Sequence, residues 1–184
     1  MPLPAGSVIA DRFAIEKVAG SGGMGTVYRA VDQNTGRPVA LKLLHREASA
    51  ARSTERFARE AELLAQIDHP NIVAYVAHGE TADGLRYLAM QWLAGQDLAE
   101  RLAGGRLTLR DSVACLTAVA DALGTLHGRG IVHRDASRKN TICLHNSGIP
   151  AQQRRQYHTR IHFLYFSLGG PQAQARRSVI RASS

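Results

Sequence analysis

Gly20-Ser21-Gly22-Gly23-Met24-Gly25-Thr26-Val27-Tyr28-Arg29-Ala30-Val31 is the stretch that decides how this chain folds. Its first half has the spacing G-x-G-x-x-G, which two different architectures set against phosphate. In a doubly wound dinucleotide fold the last glycine opens a helix. Here the residues after Gly25 are β-branched and alternating, so the chain continues as a strand and the glycines become the tip of a hairpin. Glycine suits that tip because backbone amides can approach phosphate oxygens with no Cβ between them. In isolation an ordinary hairpin turn would read the same way, so the surrounding sequence has to give the motif its meaning.

Phe13 to Val18 and Thr26 to Val31 read as the two strands of that hairpin, and Pro38 to Leu43 follows as a third after the turn Asn34-Thr35-Gly36. Lys42 closes the apolar run Val39-Ala40-Leu41, and alternation points it to the same inward face as Ala40. A buried ammonium needs an anion. Glu60 is the nearest candidate, on the edge of a helix that Ser53 or Thr54 can cap and that runs to about Ile67. Its expected buried stripe is Phe57, Ala61, Leu64 and Ile67. His69-Pro70 ends this helix. Asn71 to Ala77 and Leu85 to Trp92 read as strands around a turn from Gly79 to Gly84. Beyond them Asp97 to Ala103 is a short helix. Leu109 to His127 is a long one, capped by Thr108 with Asp111 three residues on and expected to bury Leu116, Val119, Leu123 and Leu126.

Directly after the long helix comes His133-Arg134-Asp135-Ala136-Ser137-Arg138-Lys139-Asn140, the spacing H-R-D-x4-N. Glycine hairpin, Val-Ala-Leu-Lys strand, helical Glu and this loop, in this order, resemble a protein kinase from roughly Arg12 to Leu144. Met24-Gly25, Arg56-Phe57-Ala58-Arg59-Glu60-Ala61 and His69-Pro70-Asn71-Ile72-Val73 are most similar to the bacterial serine/threonine kinases of eukaryotic-like type. The resemblance implies an α+β, protein-kinase-like fold: an antiparallel-sheet N-lobe over 12–93 with one regulatory helix, and an incomplete helical C-lobe over 94–144. Residues 1–11 would be an N-terminal extension and 145–184 a basic tail without fixed structure.

The same resemblance implies ATP and Mg2+ as cofactors and a protein substrate. Gly20, Ser21, Gly22, Gly23, Met24 and Gly25 would cover the phosphates, and a Lys42–Glu60 ion pair would position them. Val27 and Ala40 would pack on adenine, Met90 would be the gatekeeper, the Gln91 carbonyl and Leu93 amide would meet the adenine edge, and Asp97 would lie near the ribose. Asp135 would accept the substrate hydroxyl's proton and Asn140 would bind magnesium. The serine/threonine-specific branch has a Lys two residues after that Asp, where this chain has Ser137. Lys139 stands where tyrosine-specific kinases place an Arg, so a cation still reaches the transferred phosphate.

No Asp or Glu follows Asp135 anywhere up to Ser184, so no Asp-Phe-Gly segment is present in this sequence. The expectation is therefore a kinase cut short after its catalytic loop, with a protein partner covering the incomplete C-lobe. The residues after Gly148 have the composition of an out-of-frame or fused segment. Three functions follow: a protein serine/threonine kinase by family, a nucleotide-binding pseudokinase or regulatory fragment, and a nonenzymatic basic interaction protein.

Composition narrows the rest. At 184 residues and 45% hydrophobic content the chain can bury one sizeable core. The net charge of +8 is lopsided: residues 1–140 hold 17 Lys and Arg against 15 Asp and Glu, whereas the chain from Thr141 on holds six Arg and no acid. No recognisable nucleic-acid reader accompanies that basic tail, so no specific nucleic-acid partner is expected. The two cysteines, Cys115 and Cys143, lack the spacing of a zinc site or a disulfide framework and read as reduced structural thiols. Met1-Pro2-Leu3-Pro4 lacks a basic region before an apolar run, and nothing approaches the ~18 uninterrupted apolar residues of a membrane span, so a cytoplasmic protein is expected.

Overall fold

Alternation along the long strands sorts their side chains into two sets, and the chain builds a core on each. The computed structural model describes residues 2–22, 25–45, 57, 61–131, 141–144 and 161–163. Six strands form one antiparallel sheet: β1 (Val8–Ile9), β2 (Phe13–Gly22), β3 (Gly25–Asp32), β4 (Arg37–Leu44), β5 (Tyr75–Glu80) and β6 (Arg86–Gln91), in the order β1-β2-β3-β4-β6-β5. On its outer face Phe13, Ile15, Tyr28, Val39, Leu41, Leu43 and Ala89 are buried beneath Ile9 and Leu3 of the N-terminal segment. On its inner face Leu44, Leu88 and Met90 pack with Phe57, Ala61, Leu64 and Ile67, joined by Ala122, Leu126 and Ile131. The expected stripe Phe57, Ala61, Leu64, Ile67 is thus buried throughout, and residues 61–65 are helical. Its start at Ser53 or Thr54 lies outside the described residues.

Two helices follow, α1 (Leu98–Ala103) and α2 (Leu109–His127). Thr108 caps α2 as its sequence position requires, its Oγ1 accepting from the Asp111 N–H at 3.1 Å. The buried face of α2 differs from the expected one. Cys115, Ala122 and Leu126 are buried, with Val119 and Leu123 half-buried beside them, whereas Leu116 is 68% exposed. The helix carries two apolar stripes, Cys115-Val119-Ala122-Leu126 and Leu109-Val113-Leu116, and periodicity alone does not say which one meets the core.

Strand boundaries also shift. β5 begins at Tyr75, four residues after its expected start, and runs on to Glu80 in the expected turn, whereas β6 is one residue shorter at each end than the expected Leu85 to Trp92. β1 was not anticipated: the N-terminal segment enters the sheet, with Gly6 N–H donating to the Ile15 carbonyl at 2.8 Å and Leu3 N–H to the Tyr28 hydroxyl at 3.0 Å. A second, three-stranded antiparallel sheet joins β7 (Gly95–Asp97), β8 (Thr141–Leu144) and β9 (Ile161–Phe163) in the order β7-β8-β9. A tail expected to lack structure therefore contributes a strand. Averaged composition does not register a three-residue run of Ile-His-Phe that a neighbouring strand can recruit. β7 and β8 approach closely at Gly95, where a Cβ would stand 2.3 Å from the Cys143 carbonyl oxygen.

Candidate active site

Register across β3, β4 and β6 determines which side chains share a face. Val27 pairs with Lys42 and Lys42 with Leu88; Arg29 pairs with Ala40 and Ala40 with Met90. Cross-strand partners point the same way, so Val27, Ala40, Lys42 and Met90 line one surface, the inner one. Lys42 is only 5% exposed there, and Met90 is fully buried in the inner core beside Tyr75. Glu60, its expected anionic partner, lies outside the described residues.

The hairpin tip pairs Gly20 with Val27, Ser21 with Thr26 and Gly22 with Gly25. Its glycines have different reasons to be glycine. A Cβ on Gly20 or Gly22 would meet nothing within 4 Å, so the backbone there borders open space. A Cβ on Gly25 would lie 2.3 Å from the Leu43 carbonyl oxygen, so Gly25 is demanded by the packing of β3 on β4. Gly23 and Met24 lie outside the described residues.

At the end of β6 the Gln91 N–H donates to the Ala74 carbonyl at 2.9 Å and Trp92 N–H reaches Pro38 O at 3.4 Å. Leu93 packs its side chain on the inner core, while among the described residues nothing accepts from its N–H. Asp97 caps α1 in a capping box: one carboxylate oxygen accepts from Glu100 N–H at 2.7 Å, and Glu100 Oε2 accepts from Asp97 N–H at 3.1 Å. Its other oxygen is not used by the cap.

Asp135, Lys139 and Asn140 fall within 132–140, outside the described residues. The flanks are described: Ile131 is buried in the inner core, and Thr141, directly after Asn140, is buried and opens β8. Among the described residues no three His, Cys, Asp or Glu side chains converge as a metal centre needs. Asn140, the residue expected to bind Mg2+, is not among them.

Two arrangements escaped the sequence reading. Arg12 and Asp32 form a bidentate pair, and Ser21, Thr26 and His45 are linked through their side chains. Asp32 stands at the head of the Asn34-Thr35-Gly36 turn, the usual place for a side chain that accepts from the following backbone, and that was a usable signal. Both cysteines are free, and burial pushes each thiol up from its ordinary value.

A family model described as protein kinase domain matches residues 13–149. Serine/threonine-protein kinase pkn2 of Myxococcus xanthus is 38% identical over 143 residues, covering 77% of this chain and 17% of that protein. Serine/threonine-protein kinase PknJ of Mycobacterium tuberculosis is 39% identical over 147 residues, covering 79% of this chain and 25% of that protein. The chain thus spans a quarter or less of the length of these two relatives. The solved kinase domain of Mycobacterium tuberculosis PknI superposes with a TM-score of 0.75 at 28% identity, covering 92% of this chain and 64% of that one. Among the described residues no helix is long and apolar enough to cross a membrane. The strand-continued glycine hairpin, the inward Lys42 and the matches to bacterial serine/threonine kinases lead to one assignment: this chain belongs to the protein kinase domain family.

Proposed function

We propose that this chain binds ATP on the inner face of its six-stranded sheet and carries part of the machinery of a protein serine/threonine kinase. The observation that carries the reading is Lys42: an ammonium 5% exposed, on the same face as Val27, Ala40 and Met90 and close to the open glycine tip. The sheet holds this ammonium at one place on the inner face, and a nucleotide's α- and β-phosphates are an anion it can serve there. In this reading Gly20, Ser21, Gly22, Gly23, Met24 and Gly25 cover the phosphates, and Glu60 pairs with Lys42. The Leu93 N–H and Gln91 carbonyl meet the adenine edge, and the spare oxygen of Asp97 meets the ribose.

Phosphoryl transfer to a protein hydroxyl would use Asp135 as the proton acceptor and Lys139 as the cation nearest the transferred group. Residues 12–93 would act as the nucleotide lobe and 94–144 as part of the substrate lobe. Binding without turnover is the second reading, favoured by residues 136–184, which hold no Asp or Glu. One titration separates them. ATP raises the melting temperature of the wild-type chain and not of Lys42→Met under both readings; Asp135-dependent transfer of labelled phosphate to a Ser/Thr peptide occurs under the first alone. Absence of any ATP effect on wild type would sink both.

A further inference from the structure

The last seven residues of β2, Glu16 to Gly22, are exposed, so no packed core holds this arm of the hairpin. Its ladder to β3 is also interrupted twice, between Ile15 and Lys17 and between Val18 and Gly20. Such irregularities loosen the pairing and let a strand bend. On the outer side, Ser21, Thr26 and His45 border a cavity of about 520 Å3 together with Leu3, Tyr28, Leu43 and Leu85.

Among the described residues two side-chain connections cross this weak zone: Arg29 donates to the Glu16 carboxylate at its start, and a hydroxyl chain links its tip. Ser21 Oγ lies 3.3 Å from Thr26 Oγ1, and Thr26 Oγ1 lies 3.4 Å from His45 Nε2. The chain runs from β2 through β3 to the residue just beyond β4. Thr26 is its buried middle member, between an exposed Ser21 and an exposed His45. Alternation puts Thr26 on the face opposite Val27, with Tyr28 and Leu43, so the chain lies behind the surface proposed to meet nucleotide.

We infer that Thr26 is a positioning residue: through Ser21 and His45 its hydroxyl ties the glycine hairpin down to the sheet and so sets the height of the tip over bound phosphate. The inference rests on the nucleotide reading for its functional half and on the geometry alone for its mechanical half. A hydroxyl both donates and accepts. With neutral His45 accepting at Nε2, Thr26 donates to the ring and accepts from Ser21; with His45 protonated the order reverses and every link survives. The requirement is therefore a hydroxyl at position 26, and the shape of threonine alone does not meet it. Valine keeps the shape and removes the link. Because Ser21 and His45 are exposed, water satisfies them in that variant, and the fold tolerates it.

The test uses the full 184-residue chain. Hydrogen exchange of the backbone amides in 16–27 is measured without nucleotide, and ATP affinity by calorimetry. For Thr26→Val, exchange is expected to accelerate and ATP binding to weaken, each about three- to tenfold, the range one hydrogen bond supplies. Thr26→Ser restores both, and His45→Ala reproduces part of the loss should Thr26→Val misfold. Unchanged exchange in Thr26→Val and His45→Ala overturns the tether, as does a Thr26→Ser variant as impaired as the valine. If exchange accelerates but the wild-type chain binds no ATP, the tether stands and the nucleotide reading, with the functional half of this inference, falls.

Discussion

Arg12 and Asp32 lock the base of the β2–β3 hairpin at the end remote from the glycines. Arg12 Nε donates to Asp32 Oδ1 at 2.8 Å and Nη2 to Oδ2 at 2.9 Å. The Asp32 side chain is 1% exposed and also accepts from the Asn34 N–H and the Thr35 hydroxyl, each at 3.1 Å. Removing the carboxylate strands all of these donors. Asp32→Ala should lower stability by about 1–3 kcal/mol, read from the shift in urea midpoint.

The same pair gives the fold an acid limit. Hydrogen bonding to Arg12, above all, holds the Asp32 carboxyl well below its ordinary 3.8, at about 2. The unfolded chain takes up this proton first, so the contribution is complete above about pH 4 and is lost as pH falls through about 2. Because Arg12 is partly open to water, we expect a loss of about 1–2 kcal/mol. Urea titrations between pH 5 and pH 2.5 should show a steeper decline for wild type than for Asp32→Asn.

Gly25 and Gly22 should respond oppositely to the same change. Gly25→Ala drives a methyl group into the Leu43 carbonyl, which belongs to the ladder and cannot rotate away, and should cost about 1–3 kcal/mol of stability. Gly22→Ala meets open space and should stay within about 0.5 kcal/mol of wild type. If the tip covers phosphate, ATP affinity falls in Gly22→Ala although its melting curve does not move.

The second stripe of α2 predicts a change in behaviour without a change in fold. Leu109, Val113 and Leu116 are 82%, 55% and 68% exposed. Leu109→Gln with Leu116→Gln should alter stability by less than about 0.5 kcal/mol and reduce self-association in light scattering. Leu126→Ala, in the inner core, should cost about 2–5 kcal/mol. A partner proposed to complete the helical lobe would bind the double variant less well.

The thiols offer a probe of the same region. With burial raising Cys115 and Cys143, little thiolate is present at neutral pH, and both should react slowly with a disulfide reagent until denaturant is added. Rapid modification of the native chain would contradict their placement.

Much of the sheet was legible because its signals were local. The strand after Gly25, the inward Lys42 and the Thr108 cap each follow from a few neighbouring residues, and the structure places them as expected. The choice between the two stripes of α2 was not legible, because it depends on where Phe57, Leu64 and Ile131 lie in space. β1, β9 and the pair Arg12–Asp32 were missed for the same reason: each joins segments whose pairing is a property of the sheet. Of the expected site, Val27, Ala40, Lys42 and Met90 come together on one face by register. Glu60, Asp135, Lys139 and Asn140 keep their proposed roles on sequence order alone.

Gly95 gives the small second sheet a metrological role. β7 pairs Asp97 with Ile142, two residues beyond Asn140, and the bare α-carbon of Gly95 lets β7 press against the Cys143 carbonyl. The ladder therefore works as a gauge block between the segment that follows β6 and the segment that follows the proposed catalytic residues Asp135 and Asn140. Its thickness is set by one missing methyl group. Any larger residue at 95 would widen the gauge and shift the calibration of both segments at once, without altering any residue proposed to touch a ligand.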